Sequence, residues 1–523
     1  MNNSPHQYDA VVIGSGFGGS INALRLAEAG KSVLVLERGK RYKPGEFPRD
    51  VTDVKSLFWR YPKQSDFRGL YELDFFSGIG TIVASGVGGG SLIYANIHIR
   101  PDAVVFEDPK WPRLINRASL DPYYDKVADM LGIAPVPADV SLPKRDIFRQ
   151  AAKKLNRDVF DPDQAVSWQE PGGPDREACR MVAECEFGCQ YGAKNSLDLT
   201  YLAKAEQLGA RIQTGINVMH IEPLQSGYRV HYKDVGTDKA GSVDASRTVL
   251  SAGTLGTNKI LLQSRDVFRT LPKLSAKLGS GFSGNGDFLG SIQNSEIDLE
   301  PWKGPDVTSV MRYFDEAPQF TMAAPSFSQP VMKVLASMGQ PNHGWLRFLS
   351  PILWHKMASI LIWAFKKGLL SKPGKASMPN AGDPARMTNL FAIGRDNANG
   401  QIRLKKGNLD ITWNYARENH ELVEKMIASM QEVSDIYGGT FAPLVTWTIF
   451  KRILTVHPLG GCNLSDSPEE GVVSSAGEVH GYPGLYVADG SMIPSSLGFH
   501  PCMTISAISE QTAEAVVESY KDS

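Results

Sequence analysis

The stretch YDAVVIGSGFGGSINALRLAEAGKSVLVLERG, residues 8–39, leaves little freedom to the fold around it. YDAVVI is short, apolar and β-branched, the pattern of a parallel strand buried on both faces. Gly14, Gly16 and Gly19 follow in the GxGxxG frame. SINALRLAEAG (20–30) has helical spacing and stops on Gly30, and KSVLVLERG (31–39) carries a second strand ending at Glu37. Gly14 allows a tight turn, and Gly16 lets a pyrophosphate reach backbone. Gly19 lets helix and strand pack, while the helix N-terminus supplies N–H donors and the positive end of a dipole. Glu37 stands where a carboxylate accepts from a ribose hydroxyl, which argues against a 2′-phosphate and so against NADP. The motif by itself does not separate FAD from NAD.

At 523 residues the chain has room for two or three domains, or one composite unit with a large core. A formal net charge of −1 gives no global field toward nucleic acid. Five cysteines are too few for a disulfide framework and fit a reducing compartment. Residues 1–7 lack a basic n-region and an apolar h-region, and no segment reaches the ~18–20 apolar residues of a spanning helix. The expectation is a cytoplasmic protein.

Glycine-rich turns recur far beyond the first. ASGVGGGS (84–91), continued by SLIYANIHIRP, sets three successive glycines where backbone lies against a flat ring or a phosphate. ARIQTGINVMHIEP (210–223) reads as strand, turn, strand, and RTVLSAGTLGTNKILLQS (247–264) as strand, glycine turn, helix. GSGFSGNGDFLG (279–290) is another turn cluster, and YPGLYVADGSMIPSSLG (482–498) is a short strand followed by Asp489-Gly490. One long ligand threaded through a domain built from separated segments accounts for the recurrence.

These segments resemble the glucose–methanol–choline (GMC) family of FAD oxidoreductases, in its cholesterol-oxidase-like branch. The carriers are VVIGSGFGGS with LVLERG, GVGGGSLIYAN, TVLSAGTLGTNKILLQS, GFSGNGDFLG, and HPLGGC with GLYVADGSMIPSSLGFHPCMTI. The resemblance implies an α/β fold: a Rossmann-type FAD-binding domain in three segments, 1–115, 185–294 and 447–523. A substrate domain of antiparallel sheet plus helices, 116–184 and 295–446, is inserted between them. It also implies that Gly14, Gly16, Gly19 and Glu37 hold the ADP half and that Val218 meets the adenine through its backbone. Gly88, Gly89, Gly90 and Ser91 would lie near the isoalloxazine, with Asp489, Gly490, His500, Pro501 and Met503 along pyrophosphate and flavin. Phe17, Gly18, Arg38, Gly86, Tyr94, Asn96, Ala252 and Gly253 complete the cofactor-binding set. Tyr94 lies close to where family members place a linking histidine, so FAD is expected to be non-covalent.

Two histidines are followed by proline: His457 in TVHPLGGC and His500 in LGFHPCMTI. In the family the substrate alcohol gives hydride to flavin N5 and its hydroxyl proton to a base. Imidazole suits that task near pH 7, because its unperturbed pKa is about 6.5. A second polar group fixes the hydroxyl. His457 matches the family's first active-site histidine. His500 matches the second position, where the cholesterol-oxidase-like branch generally carries asparagine and sugar or aryl-alcohol members carry histidine. A histidine there adds a group that can change charge. Cholesterol oxidases also use a glutamate for ring-bond isomerisation. The matching region GDPARM (382–387) has none, and Asp383 is the nearest acid.

The middle of the chain matches the family less well. Cys179, Cys185 and Cys189 lack a paired CxxC and a clear fourth ligand, so ordinary thiols are expected rather than a metal. NSLDLTYLAKAEQLG (195–209) reads as an Asn- or Ser-capped helix, and QIRLKKGNLDITWNY (401–415) as a hairpin of the substrate-domain sheet. ENHELVEKMIASMQEVSDIYGG (418–439) reads as a long helix stopped by Gly438-Gly439. The Trp-rich stretch 343–372 suits helices that roof the substrate cavity, make an oligomer contact, or rest on a membrane interface at its inner face. The expected function is FAD-dependent oxidation of a hydrophobic, cyclic, sterol- or terpenoid-like alcohol by His457 and His500. The electron acceptor, oxygen or a carrier such as a quinone, stays open. Desaturation or double-bond reduction on a lipophilic ketone is the alternative reaction. A non-catalytic, membrane-associated flavin-binding protein is the alternative of another class.

Overall fold

The computed structural model describes residues 7–50, 53–60, 66–171, 175–337, 356, 359–360 and 383–521. Nearly all of the Trp-rich stretch 343–372 lies outside the described residues. Among those described, no helix is long and apolar enough to cross a membrane.

The opening motif folds as its pattern requires. Strand β1 (Tyr8–Ile13) runs into helix α1 (Phe17–Glu28), and strand β2 (Val33–Leu36) follows. β1 lies between β2 and the strand Ala240–Leu250, parallel to both. Leu485–Val487 pairs parallel to Ala240–Leu250, and Arg211–Gln213 pairs parallel to β2. The strands Tyr228–Asp234 and Ile216–Pro223 extend the sheet antiparallel. The register places Ile13 opposite both Leu36 and Leu250, and Leu250 opposite Val487. The four carboxyl ends are therefore level, and the residues after them form one edge. In open α/β sheets that edge is where ligands bind. The expected strand–turn–strand at 210–223 and strand–turn–helix at 247–264 are present.

A second sheet is wholly antiparallel, in the order Thr440–Pro443, Phe288–Gln293, Thr388–Gly394, Phe320–Ala323, Val310–Tyr313, Asp158–Phe160. The helix His420–Ile436 packs on it through Leu422, Val423, Met426, Met430 and Val433, which recur at helical spacing. This is the inserted layer of the expected α/β architecture. Its strand Phe288–Gln293 falls within the span 185–294, so that span is divided between the two sheets.

Two local expectations need correction. The hairpin Gly400–Lys405 with Asn408–Thr412 forms, turning on Lys406 and Gly407, both at positive φ. It pairs with Ser280–Phe282 in a separate three-stranded sheet, not in the six-stranded one. The helix expected from Asn195 begins only at Tyr201, ends at Gln207 and has no side-chain cap. The capping groups are engaged elsewhere: Asn195 Nδ2 donates to Leu131 O at 2.9 Å, and its Oδ1 accepts from Arg176 at 2.6 Å. Tertiary partners outcompete the local cap.

Candidate active site

A cavity of about 810 Å³ opens along the level strand ends and continues between the two sheets. Gly14, Gly16, Phe17, Gly18, Glu37 and Arg38 line it. So do Gly89, Gly90, Tyr94, Val218, Ala252 and Gly253, followed by His457, Asp489, Gly490, His500 and Pro501. Gly19, Gly86, Gly88, Ser91, Asn96 and Met503 do not line it. A Cβ on Gly19 would lie 2.0 Å from Gly14 O, so this glycine brings α1 onto the strand, as its place in the motif implies. Gly86 and Gly88 shape the second turn, whose Ser91 Oγ donates to Gly88 O at 2.7 Å and accepts from Leu197 N. Asn96 is fully buried with both side-chain polar atoms unpartnered among the described residues.

The nucleotide end suits a dinucleotide on structural grounds. The first turn of α1 has no side-chain cap, so its N–H groups stay open to an anion. The second glycine turn presses on the first: a Cβ on Gly89 would stand 2.6 Å from Gly16 Cα. Glu37 is held ready, with one carboxylate oxygen accepting from Ser15 Oγ at 2.6 Å and the other from Gly39 N at 2.8 Å. A carboxylate has about four acceptor positions, so capacity remains for a ribose. The helix Gly253–Leu262 opens onto the same space without a side-chain cap, and Ser251 Oγ beside it is buried and unpartnered among the described residues. Asp489 accepts from Ser491 N and Thr257 Oγ1 at 2.8 and 2.5 Å, while burial holds its carboxyl above the usual range.

At the other end the two histidines meet. Their ring centroids are 5.3 Å apart with planes at 80°, and Phe391 packs against both. His457 follows the two-residue strand Leu454–Thr455, and His500 stands before Pro501, the N-cap of the helix Cys502–Glu518. His457 Nδ1 lies 2.8 Å from Asp287 Oδ1, and that aspartate is completely buried. A carboxylate only accepts, so Nδ1 carries a proton, and in the neutral ring Nε2 is the nitrogen with the lone pair. Asp287 was not legible as a site residue. The only signal was an acid closing the glycine turn GFSGNGD. His500 differs from its partner. Burial, then the neighbouring His457 and His98, hold its imidazole well below the ordinary histidine range, so it stays neutral.

Asp383 is exposed and caps the turn Pro384–Arg386, away from the cavity. Glu186 is among the acids that line the cavity; its carboxyl bonds to buried Asp306 and is raised well above the usual range by burial. Cys179, Cys185 and Cys189 are free thiols, and burial pushes Cys179 up to about 11. Among the described residues no cluster of His, Cys, Asp or Glu is placed to hold a metal ion.

His98 is buried beside Tyr94. Its Nε2 is 3.2 Å from Tyr94 OH, and burial lowers it from 6.5 to about 3. The unfolded chain binds this proton below about pH 6.5, whereas the folded chain refuses it until about pH 3. Stability should therefore fall as pH drops through that window, with a slope near 1.4 kcal/mol per pH unit from this group. Urea titrations at pH 7, 6 and 5 check the point. His98→Gln should flatten the decline, and an unchanged slope would assign it to other groups.

The models of the GMC oxidoreductase family match residues 8–265 and 396–509. Cholesterol oxidases of Acinetobacter baumannii and Mycobacterium tuberculosis are 28% and 29% identical to this chain, over 97% of it and 94% and 90% of theirs. A long-chain-alcohol oxidase of Arabidopsis thaliana is 24% identical, over 98% of this chain and 68% of its own. Among solved structures, an FAD-dependent oxidoreductase from Chaetomium thermophilum superposes with a TM-score of 0.64 at 16% identity, covering 98% of this chain and all of its own. A fungal aryl-alcohol oxidase gives 0.60 at 14%, covering 99% and 100%. With its nucleotide edge and inserted antiparallel layer, the chain belongs to the GMC oxidoreductases and is an FAD-dependent enzyme of that family.

Proposed function

We propose that this enzyme oxidises a lipophilic, cyclic alcohol of sterol or terpenoid type to the carbonyl, with His457 as the base. The observation that carries the reading is the Asp287–His457 pair. A fully buried carboxylate fixes the imidazole with Nε2 as its free nitrogen, on a cavity it shares with His500. Bound FAD supplies the hydride acceptor. The chain's residues then manage the proton. His457 Nε2 accepts it from the substrate hydroxyl, and Asp287 stabilises the imidazolium that forms. His500 donates a hydrogen bond to the same oxygen as its negative charge grows.

The substrate class rests on the cavity wall and on the relatives. Phe187, Val307, Pro325, Val331, Phe391 and Val456 give that end an apolar lining. Such a wall binds by burial of hydrocarbon, worth about 25 cal/mol per Å² removed from water. The two cholesterol oxidases act, by name, on an alcohol of this kind. The test is an anaerobic panel of 3-hydroxysteroids, terpenols and linear long-chain alcohols, followed by bleaching of the flavin band. Cyclic alcohols should bleach it fastest. Bleaching by linear alcohols alone would overturn the substrate class. Bleaching by saturated ketones, with none by any alcohol, would overturn the reaction.

A further inference from the structure

We propose that the turn Ser283–Asp287 is a single clamp for both histidines, and that Asn285 is the positioning residue through which it holds His500. The proposal rests on the histidine pair of the function above. It assigns work to a turn that the sequence marks only as glycine-rich.

Asn285 is completely buried and spends both ends of its side chain on backbone. Its Nδ2 donates to Phe499 O at 2.8 Å, and its Oδ1 accepts from Leu497 N at 2.8 Å. Those two groups flank Gly498, which sits at φ +71, two residues before His500. The amide therefore fixes the bend from which the His500 ring projects. Two residues later Asp287 grips the other histidine. One oxygen meets His457 Nδ1; the second accepts from Thr455 Oγ1, Val456 N and His457 N at 2.8, 2.9 and 3.2 Å.

The turn is itself pinned from behind. Buried Asp396 accepts from Ser283 Oγ at 2.8 Å, Gly284 N at 3.2 Å and Gly286 N at 2.8 Å. A side chain at Gly286 is excluded, because its Cβ would meet Gly394 O at 2.3 Å. Among the described residues no hydrogen bond joins the two imidazoles. Their 5.3 Å separation is set instead by the short rigid backbone between Asn285 and Asp287. A misplacement of about 1 Å between reacting groups costs on the order of 10²-fold in rate. A clamp of this rigidity is what a two-histidine proton site needs.

Asn285 also has φ 53, which asparagine, aspartate and glycine tolerate better than other residues. Asn285→Asp is therefore the informative change. It keeps shape, backbone preference and the acceptor to Leu497 N, and it turns the donor contact to Phe499 O into a repulsion between a carboxylate oxygen and a carbonyl. The rate of anaerobic flavin reduction should fall roughly ten- to hundredfold, with flavin content unchanged. In a His500→Ala background the same change should cost less than about threefold, because residues acting as one unit are not additive. Full additivity would overturn the proposal. A second measurement needs no substrate. Hydrogen exchange of peptides covering 495–501 should rise in Asn285→Asp and Asn285→Ala holoenzyme, while peptides covering 8–28 keep the parent's protection. Unchanged exchange at 495–501, or an equal rise at both places, would also overturn it. The exchange arm still judges the clamp if no alcohol bleaches the flavin.

Discussion

Replacing His457 with alanine should slow anaerobic flavin reduction by about 10²- to 10⁴-fold, the range that positioned bases contribute. The fold should survive. Asp287 would lose the imidazole but keep Thr455 Oγ1 and two backbone N–H donors, so its carboxylate would not be stranded. Flavin content should stay at the parent's level, since the nucleotide edge lies on other elements. Stopped-flow reduction under nitrogen separates this outcome from a defect in reoxidation. A variant that is reduced at the parent's rate would remove His457 from the proton step. His500→Ala should cost less, because a hydrogen-bond donor is lost rather than the base.

The largest effect on the fold belongs to Gly18→Ala. Alanine is the best helix former, and Gly18 lies in α1, so propensity alone predicts a gain. The packing reverses the sign. A Cβ there would stand 1.5 Å from Ala488 O and 2.5 Å from Ala488 C. Neither backbone can yield: α1 is in the buried core, and Ala488 continues the strand Leu485–Val487. A loss above about 4 kcal/mol is expected, the range reserved for such clashes. The protein should purify with little flavin or not at all. Gly30→Ala is the control. Gly30 has φ +72 but no atom within 4 Å, so only about 1–2 kcal/mol of left-handed strain applies. Flavin stoichiometry and urea midpoints compare the two. Equal flavin content in both would show that α1 can shift to make room.

The contrast between these two sites explains what the sequence revealed. The nucleotide edge was legible because strand, glycine turn, helix and acid are consecutive, and each has a local pattern. Asp287 was not, because its partner His457 is 170 positions away and nothing local marks the pair. Asn285 is further still from Phe499, at 214 positions. The histidines themselves stood out through their motifs. The charge state of His500 did not, since it depends on burial that only the assembled fold creates. The late start of the helix Tyr201–Gln207 has the same origin, a side chain recruited by a distant carbonyl.

The pairing of Leu485–Val487 with Ala240–Leu250 also bears on how the enzyme is made. The glycine turn after β1 leaves the ribosome early, but Asp489, His457 and His500 are translated near the end. A nascent chain thus carries half a nucleotide site and an open sheet edge for most of its synthesis. Flavin capture becomes a late event, gated by completion of translation. In cells short of flavin, full-length chains awaiting cofactor should be the species that chaperones and proteases meet.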